Sequence, residues 1–222
     1  MITRLLIALN LIGYLWEISV GGPEMLSGFG NGSGMERVLA EGALVPQLVL
    51  QDGQWWRILT GAFLHGGLIH IGVNMMSLWF LGRFIEYALG PWRMLLVYMV
   101  SLVASGLGVV YFSYNPMVAT VGASGAIFGL FGALFAIGFK LGKPGMELVR
   151  ANIGILAINL IITFTVPAIS WQAHVAGLLA GFALTYAIYA PPRRVAPVVV
   201  DNAGRELETE YESPADPHQR AP

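Results

Sequence analysis

Six apolar segments alternate with short polar connections along the first 190 residues of the chain. Each segment comes close to the ~20 residues that a helix needs to cross the hydrocarbon core of a bilayer. The segments are approximately 4–20, 68–88, 92–112, 124–140, 148–166 and 171–190. This pattern predicts an all-α membrane protein in which residues 1–190 form a six-transmembrane-helix bundle.

Polar residues mark a long loop and a tail outside these segments. Residues 21–67 begin with a glycine-rich stretch and continue to Trp55-Trp56-Arg57, a cluster typical of the lipid headgroup zone. We expect this loop to lie partly in the outer leaflet of the membrane. Residues 191–222 are rich in proline and carboxylates, which predicts a disordered, solvated tail.

The composition agrees with a membrane protein and excludes several kinds of functional site. Hydrophobic residues make up 56% of the chain and charged residues 11%, whereas an ordinary soluble domain carries roughly 25% charged residues. The net charge of −1 gives no electrostatic reason to expect nucleic acid binding. Without cysteine the chain has no disulfides, no thiolate metal site and no cysteine nucleophile.

Lysine and arginine positions predict the orientation of the bundle. Residues 1–20 do not end in a clean cleavage site, so we interpret them as a retained first helix. With the N-terminus in the cytoplasm, eight of the twelve cations lie inside, two lie in loop 21–67 outside, and two belong to the tail. Both termini and the tail are therefore predicted to be cytoplasmic. A bacterial-type plasma (inner) membrane is the default expectation.

Three predicted helices carry polar residues close to their outer ends. Segments two, four and six run from outside to inside and begin with His70 and Asn74, with Ser124, and with His174. At 1.5 Å of rise per residue, Ser124 and His174 lie at a similar depth, a few ångströms below the outer surface. Residues that are distant in sequence are thus predicted to share one level of the membrane.

Small residues predict that segments four and six pack closely. Gly125 begins a series of small residues on segment four, while Gly177 and Gly181 recur on segment six. Small residues at intervals of four allow two helix backbones to approach. Gly177 and Gly181 share a face with His174, so the packing face also carries the histidine. We therefore expect Ser124 to contact His174.

A serine beside a histidine can act as a nucleophile with its base. The hydroxyl is a weak nucleophile until a neighbouring base takes its proton, and imidazole suits that task. No Asp or Glu lies within segments four to six to orient His174. The sequence therefore predicts a Ser124–His174 dyad without an acidic third member, with Phe128 available to stack on the imidazole ring.

Donors for a developing oxyanion lie at the same predicted level. Asn74 offers a side-chain amide, and His70 lies one turn before it on the same helix face. The backbone amide of Ser124 is free because this residue begins a helix. Acyl transfer needs such donors, each worth roughly 3–4 kcal/mol when well placed.

A zinc site is the competing interpretation of the histidines. Three imidazoles, those of His65, His70 and His174, could in principle hold the metal. The chain lacks a His-Glu-x-x-His motif and has no carboxylate at that depth. We therefore expect no metal and no other cofactor.

The order of these motifs resembles that of the rhomboid family of intramembrane serine proteases. The resemblance covers nearly all of residues 1–190. It implies a six-helix bundle with Ser124 as nucleophile and His174 as base. It also implies an oxyanion site formed by His70, Asn74 and Ser124. The motifs that carry it are Trp56-Arg57, His65 to Asn74, Gly122-Ala123-Ser124-Gly125, and His174 to Gly181.

The resemblance implies supporting residues and a substrate class as well. Arg57 would tie down the first loop, and Glu86 the inner end of segment two. Phe128 departs from the tyrosine of some members, and Gly61 from a histidine. The implied activity is hydrolysis of peptide bonds within or near the outer end of the membrane spans of single-span proteins in the lipid bilayer. The full supporting set is Trp56, Arg57, Glu86, Gly122, Ala123, Gly125, Phe128, Gly177 and Gly181.

Two other function classes remain as alternatives to the protease. A catalytically silent rhomboid-like protein that binds membrane clients is expected to lack the serine or the histidine, and this chain has both. A small transporter or channel is expected to show charge deep in a helix or matched broken segments, and neither is evident. The sequence thus favours a serine-type intramembrane endopeptidase.

Overall fold

The computed structural model describes residues 1–27, 32–191, 199–200 and 206–207 of the chain. Its first compact unit, Met1–Ala190, is built of helices. In chain order these are α1 (Ile2–Gly21), α2 (Glu24–Ser27), α3 (Ser33–Gly42), α4 (Pro46–Asp52), α5 (Arg57–Gly61), α6 (Leu68–Ser77), a π-helical turn (Leu78–Gly82), α7 (Arg83–Leu89), α8 (Pro91–Phe112), α9 (Ser124–Leu141), α10 (Lys143–Thr165) and α11 (Trp171–Ile188).

All six predicted apolar segments are helical, and the all-α membrane class is confirmed. Within the described part of the chain, five helices are long and apolar enough to cross a bilayer: α1, α6 and α7 taken together, α8, α9 and α10. The remaining segment, α11, begins with a turn that contains Gln172 and His174, and these polar residues lower its mean hydropathy. The structure also divides segment two by a π-helical turn, which the sequence did not predict.

Helix α9 forms the centre of the bundle and packs against α8, α10 and α11. Its residues 125–138 are all buried. The contact with α11 is close because glycine faces backbone: a Cβ atom added to Gly177 would collide with the carbonyl oxygen of Gly125, and one added to Gly181 with that of Gly129. The predicted approach of these two helices is therefore present, and it depends on the absence of side chains at these positions.

Helix α10 lies at the periphery of the bundle. Its buried residues are Gly145 and Val149 near its N-terminal end and Thr163 near its C-terminal end. Between these contacts lies an apolar cavity of 280 Å³ whose lining includes Leu156 on α10 and Phe135 on α9. The middle of α10 thus borders this cavity, where Leu156 is only partly buried against the core.

The loop between α1 and α6 is structured rather than irregular. Helices α3 to α5 lie within it, and Leu44 pairs with Thr120 in an isolated antiparallel bridge. Leu50, Trp55 and Trp56 remain exposed, as expected for a loop whose outer side contacts lipid headgroups. The glycine-rich stretch 28–31 lies outside the described residues.

Arg57 fastens this loop from within. Arg57 is 4% exposed, and its guanidinium donates to the carbonyl oxygens of Ala40 at 2.7 Å and Ala43 at 2.8 Å. It also donates to the side-chain oxygen of Gln54 at 2.6 Å. Its three nitrogens therefore join the end of α3 to the start of α5, in the fork geometry that only arginine provides.

Arg57→Lys is expected to loosen this loop. A lysine ammonium cannot reach three acceptors in a plane, so at least one buried carbonyl loses its partner, at a cost of about 1–3 kcal/mol. Limited proteolysis in detergent should cleave residues 33–61 faster in the variant. Arg37→Lys is the matched control, because Arg37 is exposed and makes a 3.3 Å bond within its own helix. Equal cleavage of both variants would contradict the proposed fastening.

Glu86 joins α7 to the first turn of α1. Its carboxylate accepts hydrogen bonds from the backbone N–H groups of Ile2 at 2.8 Å and Thr3 at 3.0 Å. The hydroxyl of Thr3 donates to it at 2.7 Å. A negative charge at this point also suits the positive end of the helix dipole of α1.

A second unit begins at Pro191. Within it the structure describes an antiparallel pair of two-residue strands, β1 (Val199–Val200) and β2 (Glu206–Leu207), with Val199 opposite Leu207. The predicted disorder of tail 191–222 otherwise falls on residues outside the described part of the chain.

Candidate active site

Ser124 and His174 lie in direct contact. The Oγ atom of Ser124 and the Nε2 atom of His174 are 2.8 Å apart, within the range of a hydrogen bond between a hydroxyl and an imidazole. Ser124 is the first residue of α9, and His174 lies in the first turn of α11. The close packing of these two helices brings the groups together, as the sequence predicted; their catalytic role stays a prediction.

The backbone before Ser124 requires a glycine. Gly122 has a φ of +118°, a conformation that residues with a Cβ atom rarely adopt. A Cβ atom at this position would also lie 2.8 Å from Nε2 of His70 and 3.8 Å from Oγ of Ser124. The His70 ring and the Ser124 hydroxyl therefore lie on the same side of Gly122, and Ala123 is fully buried.

Two side chains fix the His174 ring. Phe128 stacks on it with ring centroids 4.0 Å apart and planes 12° from parallel, which is the contact predicted for this residue. On the ring's other nitrogen, Nδ1 lies 2.7 Å from the hydroxyl oxygen of Thr163. Sequence reasoning missed Thr163, since it searched segments four to six for a carboxylate only. The structure shows that Thr163 is buried near the C-terminal end of α10, which the sequence does not indicate.

The hydrogen bonding of His70 determines where its proton lies. The backbone N–H of Gly66 donates to Nδ1 of His70 at 3.2 Å, so a neutral ring carries its proton on Nε2. This Nε2–H is the atom that borders Gly122. A hydrogen-bond donor is thus held on the same side of Gly122 as the Ser124 hydroxyl.

Asn74 is placed differently from the sequence expectation in one respect. Its side chain is buried, but its amide nitrogen donates to the carbonyl oxygen of His70 on its own helix at 2.9 Å. An amide carries two N–H groups, and this bond uses one of them. Only the second N–H remains available to a bound substrate.

Glu17 is a buried carboxyl that the sequence analysis did not assign. It lies within α1 with 0% exposure, so the sequence expectation that no ionisable group lies deep in a helix is wrong at this position. Its Oε1 accepts the backbone N–H of His65 at 2.8 Å. Burial lowers the pKa of His65 to about 3, so this ring is neutral. Glu17 therefore anchors the segment that leads into α6 and His70.

The histidines do not converge on a common point. His65 and His70 pack edge to face with ring centroids 5.1 Å apart, whereas both ring nitrogens of His174 are engaged by Ser124 and Thr163. Within the part of the chain that the structure describes, no group of three or more His, Cys, Asp or Glu side chains is arranged to hold a metal ion.

Comparison with known proteins decides the family. A model of the Rhomboid domain matches residues 52–191, which include all of the site described above except Glu17. The chain belongs to the rhomboid family. Membership in this family, together with the apolar helices, makes it an integral multi-pass membrane protein.

Relatives within the rhomboid family include named proteases. The rhomboid protease GluP of Bacillus subtilis (strain 168) is 35% identical over 191 residues, which cover 85% of this chain and 35% of GluP. YdcA of the same organism is 38% identical over 140 residues, or 63% of this chain and 70% of YdcA. The chain thus spans about a third of the length of GluP.

A further relative shows that membership in the rhomboid family does not by itself establish activity. Inactive RHOMBOID-like protein 8 of Arabidopsis thaliana is 30% identical over 141 residues, which cover 62% of this chain and 39% of that protein. The choice between an active protease and a silent relative therefore depends on the side chains of this chain's own site.

Proposed function

We propose that this rhomboid is a serine-type intramembrane endopeptidase in which Ser124 is the nucleophile and His174 the general base. The observation that carries the proposal is the 2.8 Å contact between Ser124 Oγ and His174 Nε2. The stacked Phe128 and the Thr163 hydroxyl hold the base in place. A silent relative would have no need to retain both groups in contact.

The reaction follows from the positions of these atoms. As the Ser124 oxygen attacks the scissile carbonyl carbon, its proton passes to Nε2 of His174, and the carbonyl electrons move onto the oxygen. The backbone N–H of Ser124, Nε2–H of His70 and the second N–H of Asn74 are the candidate donors to this oxyanion. The imidazolium then protonates the departing amine, and a water molecule hydrolyses the acyl-enzyme by the reverse proton path.

The proposed topology places this chemistry near the outer membrane surface. We take α11 as the sixth span, with both termini in the cytoplasm and loop 21–67 outside, because that arrangement keeps most cations inside. A bacterial-type plasma membrane is the proposed location. Hydrolysis requires water, so the polar ends of α6, α9 and α11 would line a cavity that opens outward.

The proposed substrates are single-span membrane proteins. A peptide bond within a helix is covered by its own hydrogen bonding, so the span must unwind locally before Ser124 can attack. Spans with glycine, proline or polar residues near the outer end unwind at the lowest cost. The protease name of GluP agrees with this class of activity.

A matched pair of model substrates tests this function. The full chain is reconstituted in liposomes with two single-span proteins that differ only in a Gly-Pro pair near the outer end of the span. We expect cleavage of the Gly-Pro substrate close to that end, mapped by mass spectrometry, slower cleavage of the continuous helix, and none with Ser124→Ala. Stable association with the substrates without any cleavage would instead favour the client-binding alternative.

A further inference from the structure

The hydroxyl of Thr163 meets the His174 ring on the side away from Ser124. Thr163 Oγ1 lies 2.7 Å from Nδ1, and Ser124 Oγ lies 2.8 Å from Nε2. Thr163 is 3% exposed and His174 7% exposed, so water competes little for either group. The three side chains form a row in which the imidazole is the central member, and Thr163 occupies the place of the missing acidic residue.

The direction of the hydrogen bonds in this row follows from the acceptors available. Thr163 Oγ1 also lies 2.7 Å from the backbone carbonyl oxygen of Asn159, which can only accept. A hydroxyl has one hydrogen to donate. The contacts of Thr163 with Asn159 and with His174 can therefore both be hydrogen bonds only if Thr163 donates this hydrogen to the Asn159 carbonyl oxygen. Nδ1 of His174 must then carry a proton and donate it to Thr163, which leaves Nε2 free to accept from Ser124.

The contact between Thr163 and His174 also links α10 to the core of the bundle. The other buried residues of α10, Gly145 and Val149, lie near its N-terminal end, and in its middle Leu156 is only partly buried and borders the apolar cavity. Phe164 and Thr165 beside Thr163 are exposed. The outer part of α10 therefore meets the buried core of the bundle at the residue that contacts the base.

We propose that Thr163 is a positioning residue that holds His174 as the Nδ1–H tautomer and stabilises the imidazolium formed during the reaction. The inference rests on the proposed protease function. When the Ser124 O–H bond breaks, its proton moves to Nε2 and its electron pair forms the bond to the substrate carbonyl carbon. The Nδ1–H bond stays intact and donates to Thr163 Oγ1, whose own hydrogen remains on the Asn159 carbonyl.

In this arrangement, the ability of His174 to accept the Ser124 proton depends on the position of α10 against α11. If the outer end of α10 moves away from α11, Nδ1 loses its acceptor and the ring can adopt the Nε2–H tautomer. That tautomer presents a proton to the Ser124 hydroxyl and cannot take one from it. The position of α10 is therefore coupled to the protonation pattern of the dyad.

Two substitutions separate this role from simple packing. Thr163→Val keeps the shape of the side chain but removes the hydroxyl, and we expect kcat for a cleaved model span to fall about ten- to a hundredfold, the effect of losing one hydrogen bond to a charged group. KM should stay within about twofold, because the substrate itself loses no contact. Thr163→Ser keeps the hydroxyl and should stay within about threefold of the wild-type kcat. A packing role predicts the opposite order, with Val near wild type and Ser impaired.

A control and a second readout keep the test independent of the protease assay. Thr165→Val is the matched control, since Thr165 makes the same bond to a carbonyl one turn back, at 2.7 Å, but is exposed. ¹⁵N NMR of the histidine rings, assigned with His174→Ala, should show the Nδ1–H form in the wild type and a shift towards Nε2–H in Thr163→Val. Unchanged tautomer and unchanged kcat would overturn the inference, whereas a wild-type protein that cleaves nothing, with the tautomer shift present, would overturn only the proposed function.

Discussion

Ser124→Ala and His174→Ala are each expected to abolish reaction with a fluorophosphonate and cleavage of a model span, with a loss of about 10⁴-fold or more in acylation rate. Alanine at 124 removes the attacking oxygen. Alanine at 174 removes the base whose Nε2 atom lies 2.8 Å from that oxygen. A serine hydroxyl without a base is barely nucleophilic at neutral pH. Gel fluorescence after labelling in detergent measures the first effect, and mass spectrometry of the substrate the second.

The double variant and a control serine sharpen this prediction. Because the two groups act as a unit, Ser124→Ala/His174→Ala should be no slower than either single variant. Ser105→Ala is the matched control: Ser105 is also buried and borders Gly125, yet it lies on α8 and should leave labelling unchanged. Equal labelling of the wild type and Ser124→Ala would remove the enzymatic interpretation.

Gly177→Ala is expected to destabilise the protein by at least about 3 kcal/mol, at the upper end of the usual cost of overpacking. The new Cβ would collide with the carbonyl oxygen of Gly125 and lie 2.9 Å from its carbonyl carbon. Backbone atoms cannot move aside as a flexible side chain does, so α9 and α11 must separate. Since α11 carries His174 and α9 begins with Ser124, the variant should also label more slowly.

Gly154→Ala provides the control for this substitution. Gly154 is an exposed helical glycine on α10, and a Cβ added there meets nothing within 4 Å. Helix propensity alone then favours alanine by up to about 1 kcal/mol. Thermal unfolding in detergent should show a large decrease in Tm for Gly177→Ala and none for Gly154→Ala. Similar Tm values for the two variants would mean that the α9–α11 contact is not glycine-dependent.

The helices of this fold could be predicted because membrane insertion imposes a simple pattern. A span must satisfy its backbone internally and face lipid with apolar side chains, so every helix long enough to span appears as an apolar segment. The packing of α9 on α11 was predictable for a related reason, since small residues recur at the spacing of a close contact. The short helices α3 to α5 were not predicted, because loop 21–67 follows no membrane period and its order depends on bonds such as those of Arg57.

The candidate site was predictable where the types of two residues at the same depth indicate a specific chemical role. Ser124 and His174 were identified because a hydroxyl and an imidazole at one depth indicate nucleophile and base. Thr163 was missed because a threonine hydroxyl in a membrane helix usually bonds the preceding turn, and nothing in the sequence shows that this one also contacts a histidine. The bond from the Asn74 amide to the His70 carbonyl depends on a rotamer choice that spacing does not reveal.

The π-helical turn at Leu78–Gly82 keeps the two ends of its span in phase. Asn74 and Glu86 are twelve residues apart, and an uninterrupted α-helix at about 100° per residue would turn them about 120° away from each other. A π turn accommodates one additional residue, which cancels about 100° of that rotation. Both residues can then face the bundle, Asn74 near Ser124's level and Glu86 on α1. Removing one residue from this turn would leave the two residues eleven positions apart on a regular α-helix and still in phase, whereas the present spacing of twelve without the π turn would rotate Glu86 away from α1.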